Sequence, residues 1–204
     1  MIYRIIKRLI DLIISLAAFI CLLPLMLIVY ILIRRSGPGP AIFSQTRAGL
    51  KAAPFTLYKF RTMRIDADPF GPSPKSGQDN RLTHIGRWLR EHSLDELPQL
   101  VNVIKGNMSL VGPRPLYIQQ IPEWSDYHKR RLEVKPGLTG LAQVKGRGHL
   151  TIEDKLDLDV KYVQTAGLLL DFKILFATLG AVLGKAEIYE NNYSKSQRTR
   201  GEEK

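Results

Sequence analysis

The sequence is short of three things that mark common protein classes. It holds one cysteine, Cys21, among 204 residues. That cysteine lies inside an apolar run, so neither a disulfide framework nor a cysteine metal site can form within one chain, and a reducing, cytoplasm-facing location fits best. Acids are scarce: 19 Asp and Glu face 30 Lys and Arg, for a formal charge of +11. An acidic partner is thereby disfavoured, and nucleic acid, anionic lipid and phosphorylated small molecules are favoured. Histidine is sparse, and His84, His92, His128 and His149 have no metal-ligand spacing. Internal repeats and low-complexity tracts are absent too. The length suits one sizeable core plus an anchor.

What is present first is a long apolar run. Residues 9–33 are apolar apart from Asp11, Ser15 and Tyr30, and as a helix they would reach roughly 37 Å, enough to cross a bilayer. No small-residue cleavage site follows, so the anchor is expected to stay attached. Arg4, Lys7 and Arg8 precede the run and Arg34 and Arg35 follow it. Basic flanks favour the cytoplasmic side, so both ends want the same face. Pro24 removes a backbone donor and clashes with the preceding turn, dividing the run into pieces of about 15 and 10 residues, neither of which spans. The expectation is a re-entrant helix-break-helix dipping into one leaflet, with a straight span kinked at Pro24 as the alternative.

The rest reads as α+β, predominantly helical, with a small β-hairpin. The predicted divisions are an anchor over 1–35, a catalytic domain over 36–185 and a polar, disordered tail over 186–204. Stretches 41–46 and 55–62 alternate as paired strands, with Phe55, Leu57, Lys59 and Arg61 on one face. The Pro- and Gly-rich segment 66–80 is a long loop. Thr83 caps a helix through His92. Another helix starts at Leu94 or Pro98 and stops before Gly106. Segments 111–115 and 135–140 are turn-rich and bracket a helix over 122–133. Residues 141–144 suit a short strand, and 151–164 and 172–183 are the last helices.

Several side chains suit chemistry on phosphate. Ser93-Leu94-Asp95-Glu96 has the spacing of a capping box, the plain reading of this run. Pro98 complicates that reading, because it fits best at the first position of a helix starting there. Either way Asp95 and Glu96 sit beside a helix N-terminus, which keeps an acid ionised and attracts phosphate. An ionised aspartate can attack phosphorus, and a neighbouring glutamate can hold a divalent cation. Asp159 completes the apolar stripe of Ile152, Leu156 and Val163, so an acid faces inward and needs a cation or several donors. It is a candidate metal or phosphate-site residue. Lys59, Arg61 and Arg90 are candidate phosphate ligands, with plain surface solvation as the alternative. Arg114, in Gly112-Pro113-Arg114-Pro115, is restrained by the following proline and suits a phosphate. Arg147, between two glycines, is a weaker candidate for a nucleotide or lipid headgroup. Asp171 reads first as a helix N-cap.

The order of Lys59-Phe60-Arg61-Thr62-Met63, Ser93-Leu94-Asp95-Glu96-Leu97-Pro98-Gln99, Gly112-Pro113-Arg114-Pro115, Lys135-Pro136-Gly137-Leu138-Thr139-Gly140 and Asp159-Val160-Lys161-Tyr162 resembles the bacterial sugar transferases, the small monotopic phosphoglycosyl transferases. The resemblance covers nearly the whole chain. It implies a Mg²⁺-dependent enzyme on the cytoplasmic face of the bacterial inner membrane. Such an enzyme moves a sugar 1-phosphate from a UDP-sugar to a polyprenol (undecaprenyl) phosphate, releases UMP and initiates glycoconjugate biosynthesis. By the same resemblance Asp95 is the nucleophile that carries a phosphosugar and Glu96 binds the metal. Lys59, Arg90, Arg114, Asp159 and Asp171 belong to the active site. Leu23 stands where relatives place a serine before the proline, and Leu141 where many carry a tryptophan. The implied partners are the UDP-sugar, the polyprenol phosphate and membrane lipid, without nucleic acid. A nucleic-acid-binding membrane protein or a non-catalytic assembly scaffold are the competing readings.

Overall fold

The computed structural model describes residues 2–68, 74 and 76–183, with backbone only at 147, 182 and 183. The tail expected over 186–204 and part of the loop over 66–80 lie outside the described residues. The fold is α+β and mostly helical, with a small antiparallel sheet and a long apolar N-terminal helix.

That helix, α1 (Ile2–Arg35), runs unbroken through Pro24, which corrects the expected helix-break-helix. The reason lies in the phase of its inward face. Asp11, Ser15, Met26, Val29 and Ile33 are buried, and Ala18, Phe19 and Leu22 pack against the core between them. From Ser15 to Met26 is close to three full turns, so one stripe keeps its direction across the proline. Packing on that stripe offsets the roughly 3 kcal/mol that an interior proline costs. The opposite face leaves Ile2, Leu9, Ile13, Ile20, Leu27, Ile28 and Ile31 exposed. Among the described residues α1 alone is long and apolar enough to cross a membrane.

The few polar residues of α1 point at the domain. Arg8 donates to the carbonyls of Val103 (2.6 Å) and Ile104 (2.8 Å), at the C-terminal end of α3 (Gln99–Lys105), where a cation complements the helix dipole. The Asp11 carboxylate accepts from the Leu110 amide at 3.1 Å. At the other end of α1, Arg61 donates to the carbonyls of Ile33, Gly37 and Pro38.

Strands β1 (Ile42–Ala48) and β2 (Pro54–Phe60) form the antiparallel hairpin that the alternation predicts, with Phe43 opposite Lys59 and Arg47 opposite Phe55. Phe55 and Leu57 enter the main core with Leu100, Val103, Met108 and Tyr162. Phe60 points the other way and joins Met26, Val29, Ile33 and Leu89. Thr83 caps α2 (His84–Glu91), accepting from the Gly86 amide at 2.9 Å. Gly106 closes α3 in the left-handed region at φ 83°.

Three predicted elements differ. The turn-rich segments contain a short parallel pair, β3 (Ser109–Val111) and β4 (Gly137–Thr139). Their glycines interlock, because a Cβ on Gly137 would lie 2.1 Å from the Gly112 nitrogen. Residues 122–133 form α4 (Asp126–Lys129) between two 3-10 turns instead of one helix. Residues 141–144 belong to a helix, α5 (Leu141–Lys145), not a strand. The helix predicted over 151–164 is α6 (Ile152–Thr165), with Thr151 as its N-cap. Helix α7 (Leu168–Leu183) begins before Asp171, which therefore sits in the first turn and is not the N-cap.

Candidate active site

Asp95 and Glu96 lie in a single 3-10 turn, Leu94–Glu96, between α2 and α3. Ser93 enters it in the left-handed region at φ 56° and its side chain caps nothing, so the capping box does not form. Pro98 instead leads into α3. Released from capping, Glu96 accepts from Lys59 Nζ at 2.8 Å and from Arg114 Nη2 at 2.7 Å. Arg114 is placed by the interlock of Gly112, two residues before it in the chain, with Gly137, and Lys59 by the inward face of β2.

The two acids experience opposite fields. Asp95 is buried, and its carboxylate has no hydrogen-bond partner among the described residues. Burial pushes its pKa up, against the pull of Lys59, and Glu96 adds to the rise while Arg90 and Arg114 oppose it. The helix end is expected to favour the ionised acid, and burial works against it. Burial also acts upward on Glu96, but Arg114 and Lys59 overcome it and hold the carboxyl far below its ordinary range. Burial lowers Lys59. Arg90 acts on Asp95 through space, and its Nη1 is buried without a hydrogen-bond partner.

Asp159 is buried on α6, as its place in the stripe predicts, but its partner is an arginine. Arg131 donates to Asp159 Oδ2 from Nε (3.0 Å) and Nη2 (2.7 Å). The same Nη2 donates to the Arg114 carbonyl at 2.5 Å, and the guanidinium lies 4.9 Å from the Trp124 ring centre. Asp159 thus braces the backbone of Arg114 through Arg131, while its Oδ1 is buried without a hydrogen-bond partner. Sequence reading missed Arg131; the available signal was that an inward acid demands a cation, and helix-forming residues 126–133 supply three basic candidates.

Two other candidates have their partners elsewhere. Arg61, read as a phosphate ligand, spends its guanidinium on the carbonyls that end α1, because its position just past β2 faces that helix terminus. Asp171, read as part of the active site, accepts from Tyr162 (2.6 Å), Tyr3 (2.9 Å) and Lys7 (2.9 Å) and fastens α1 to α6 and α7. The side chain of Arg147 lies outside the described residues. The structure therefore brings together Asp95, Glu96, Lys59, Arg90 and Arg114. No group of three His, Cys, Asp or Glu side chains suited to a metal occurs among the described residues. An unbonded carboxylate among three cations can attack an electrophile that bears negative charge.

Residues 2–185 match the family model described as bacterial sugar transferase. Over 197 residues the chain is 43% identical to the uncharacterized sugar transferase EpsL of Bacillus subtilis (strain 168), an alignment covering 97% of this chain and 96% of that protein. It is 42% identical over 197 residues to the UDP-glucose:undecaprenyl-phosphate glucose-1-phosphate transferase of Caulobacter vibrioides, covering 90% of this chain and 72% of the relative. It is 38% identical over 201 residues to the undecaprenyl-phosphate galactose phosphotransferase of Salmonella typhimurium, covering 91% of this chain and 42% of that longer protein.

Proposed function

The chain belongs to the bacterial sugar transferase family, and on that premise we propose that it moves a sugar 1-phosphate from a UDP-sugar to undecaprenyl phosphate or a similar polyprenol phosphate, releasing UMP. The names of the Caulobacter and Salmonella relatives support the donor, the acceptor and the transfer of a sugar 1-phosphate.

The observation that carries the mechanism is the contrast between neighbours: Glu96 is ion-paired through Oε1 with Lys59 and Arg114, whereas Asp95 is buried and unbonded. An Oδ of ionised Asp95 attacks the sugar-bearing phosphorus. An acyl-phosphate bond forms, the phosphoanhydride P–O bond breaks, and its electron pair leaves on UMP. A phosphate oxygen of the polyprenol phosphate then attacks the same phosphorus and expels the Asp95 carboxylate. The product is a polyprenol diphosphate sugar. Lys59, Arg90 and Arg114 neutralise the transferring oxygens, and Glu96 holds two of those cations in place. Two adjacent carboxylates suit Mg²⁺, which commonly takes one or two carboxylates and completes its shell with phosphate oxygens and water. Glu96, with Asp95 beside it, would hold that ion, which supplies charge neutralisation at the diphosphate.

The lipid substrate explains the anchor. Each buried CH₂ is worth about 0.8 kcal/mol, so the polyprenol stays in the bilayer and the active site must come to the headgroups. Both ends of α1 are bonded to the same catalytic body, which supports a monotopic helix lodged in one leaflet. The basic flanks and the UDP-sugar substrate favour the cytoplasmic face of the inner membrane.

The test is UMP release by the purified full chain with Mg²⁺, undecaprenyl phosphate and a panel of UDP-sugars beginning with UDP-glucose and UDP-galactose. Asp95→Asn is expected to abolish turnover, and without lipid the wild type should show a phosphosugar mass on the Asp95 peptide. Robust turnover by the Asn variant would sink the covalent mechanism.

A further inference from the structure

The hairpin face that carries Lys59 also carries Gln45 and Arg47, because residues directly opposite in an antiparallel pair project to the same side: Phe43 faces Lys59, Gln45 faces Leu57 and Arg47 faces Phe55. Gln45 is buried and Arg47 half-buried. The Arg47 guanidinium lies flat over the Tyr117 ring, 3.5 Å from its centre. Its Nη2 donates to Gln45 Oε1 at 2.7 Å, and Gln45 Nε2 donates to the Tyr117 hydroxyl at 3.1 Å. The next residue, Ala48, donates its amide to the Leu116 carbonyl at 3.1 Å. The hairpin end is therefore stitched to the segment that contains Arg114, and Ala48, Gly49, Arg114 and Arg131 line one small cavity there.

Nothing in the mechanism above uses this arginine. It forms no ion pair among the described residues, and its Nε is buried without a hydrogen-bond partner. Burial lowers its pKa, while Arg114 and Glu96 act on it through space, which places it within electrostatic range of the site. Holding a cation in such surroundings costs stability unless an anion arrives. Strand β1 starts at Ile42, beside the cluster that holds Met26, Val29 and Ile33, and Arg47 stands roughly 17 Å further along it, next to the segment of Arg114 to which Ala48 is bonded. The phosphate it meets belongs to the nucleotide or to the lipid, and the experiment below separates the two.

We propose that Arg47, held flat by Tyr117 and Gln45, binds the nucleotide-side phosphate of the donor and takes up the charge that develops there as UMP departs. This rests on the UDP-sugar reading. Breaking the phosphoanhydride leaves the UMP phosphate with one more negative charge, and a planar, permanently charged fork suits that oxygen pair. Arg47 thus serves the first half-reaction and not the second, in which no nucleotide takes part.

The experiment separates the halves with Arg47→Gln in the full chain in detergent micelles. UMP affinity by calorimetry is expected to fall about tenfold or more, as is the rate of adduct formation on Asp95 from UDP-glucose or UDP-galactose. Discharge of preformed adduct by undecaprenyl phosphate is expected to stay within about twofold of wild type. Unchanged UMP affinity overturns the proposal, and so does slowed discharge with UMP affinity intact, which would assign Arg47 to the lipid phosphate. If the Gln variant melts early, Arg47→Lys replaces it, keeping the charge and losing the fork, and wild-type UMP affinity in that variant also overturns the proposal. If the wild type forms no adduct, the covalent reading fails, yet the UMP measurement still decides the role of Arg47.

Discussion

Burial pushes the Asp95 carboxyl up while Lys59, Arg90 and Arg114 pull it down, and Glu96, one residue on, is held far below its ordinary range by Arg114 and Lys59. The consequences for stability have opposite sign. A raised folded pKa favours the fold at low pH and loses that contribution as pH rises through it, so ionised Asp95 strains the protein at neutrality. A depressed folded pKa contributes stability above the unfolded value, near 4.3 for glutamate, and loses it as pH falls. At pH 7 Asp95→Asn is therefore expected to raise the melting temperature and Glu96→Gln to lower it, the latter by about 1–2 kcal/mol of stability because Arg114 is half exposed. Both variants should be inactive, and calorimetric melting distinguishes them; a destabilised Asn variant would contradict the field assigned to Asp95. Activity carries the same signature. Adduct formation needs ionised Asp95, so its rate should fall on the acid side at a pH above that of an ordinary aspartate, near 3.9. Arg90→Gln removes a lowering charge and should move that limb further up, which a pH profile of the single-turnover rate measures.

At the scale of elements, what was legible in the sequence was local. The β1–β2 alternation, the Thr83 cap, the Gly106 stop, the helix from about Thr151 and the inward Asp159 are each set by residues within a few positions, and the structure has them. The parallel β3–β4 pair was not legible. Its strands are three residues each and lie more than twenty apart, and their Gly and Pro content reads as turn until Gly112 and Gly137 are seen to meet. The partners of Arg61 and Asp171 were not legible for a related cause: the carbonyls ending α1 and the side chains of Tyr3 and Lys7 come from the distant anchor. Arg131 escaped because nothing near it in the chain demands it; the demand comes from α6. That pair joins α6 to the segment before β4 and fixes the Arg114 carbonyl. Asp159→Asn should cost about 3–5 kcal/mol in denaturant unfolding by leaving Arg131 charged and buried. The double change Arg131→Met with Asp159→Leu should recover most of that stability. KM for the UDP-sugar should stay raised in the double variant, because Arg114 has lost its brace, and a restored KM would show that the pair serves stability alone.

At the scale of the whole molecule the decisive contacts are those at the two ends of α1. Near its start, Tyr3 and Lys7 bind Asp171, Arg8 binds the end of α3 and Asp11 binds Leu110. Near its finish, Val29 and Ile33 pack with Phe60 and Leu89 while Arg61 seals the terminal carbonyls. A helix of 34 residues extends about 51 Å, long enough to put its ends on opposite sides of a bilayer, where one of these two sets of contacts would have to be given up. Keeping both requires the helix to lie along the membrane face of the domain with Ile13, Ile20 and Ile28 toward lipid. The exposed apolar residues of α7, Leu169, Phe172, Phe176 and Leu179, recur at helical spacing on one face and extend the same surface beside Asp171. The prediction is that a cysteine placed at Ile2 and a tag after Lys204 are labelled from the same side of sealed membrane vesicles. Lys7→Met, which removes one of the bonds to Asp171, should leave that sidedness unchanged and weaken the docking of α1, seen as faster hydrogen exchange in its first turns. Labelling from opposite sides would mean that the helix crosses the bilayer and that the contacts at one of its ends do not form in the membrane.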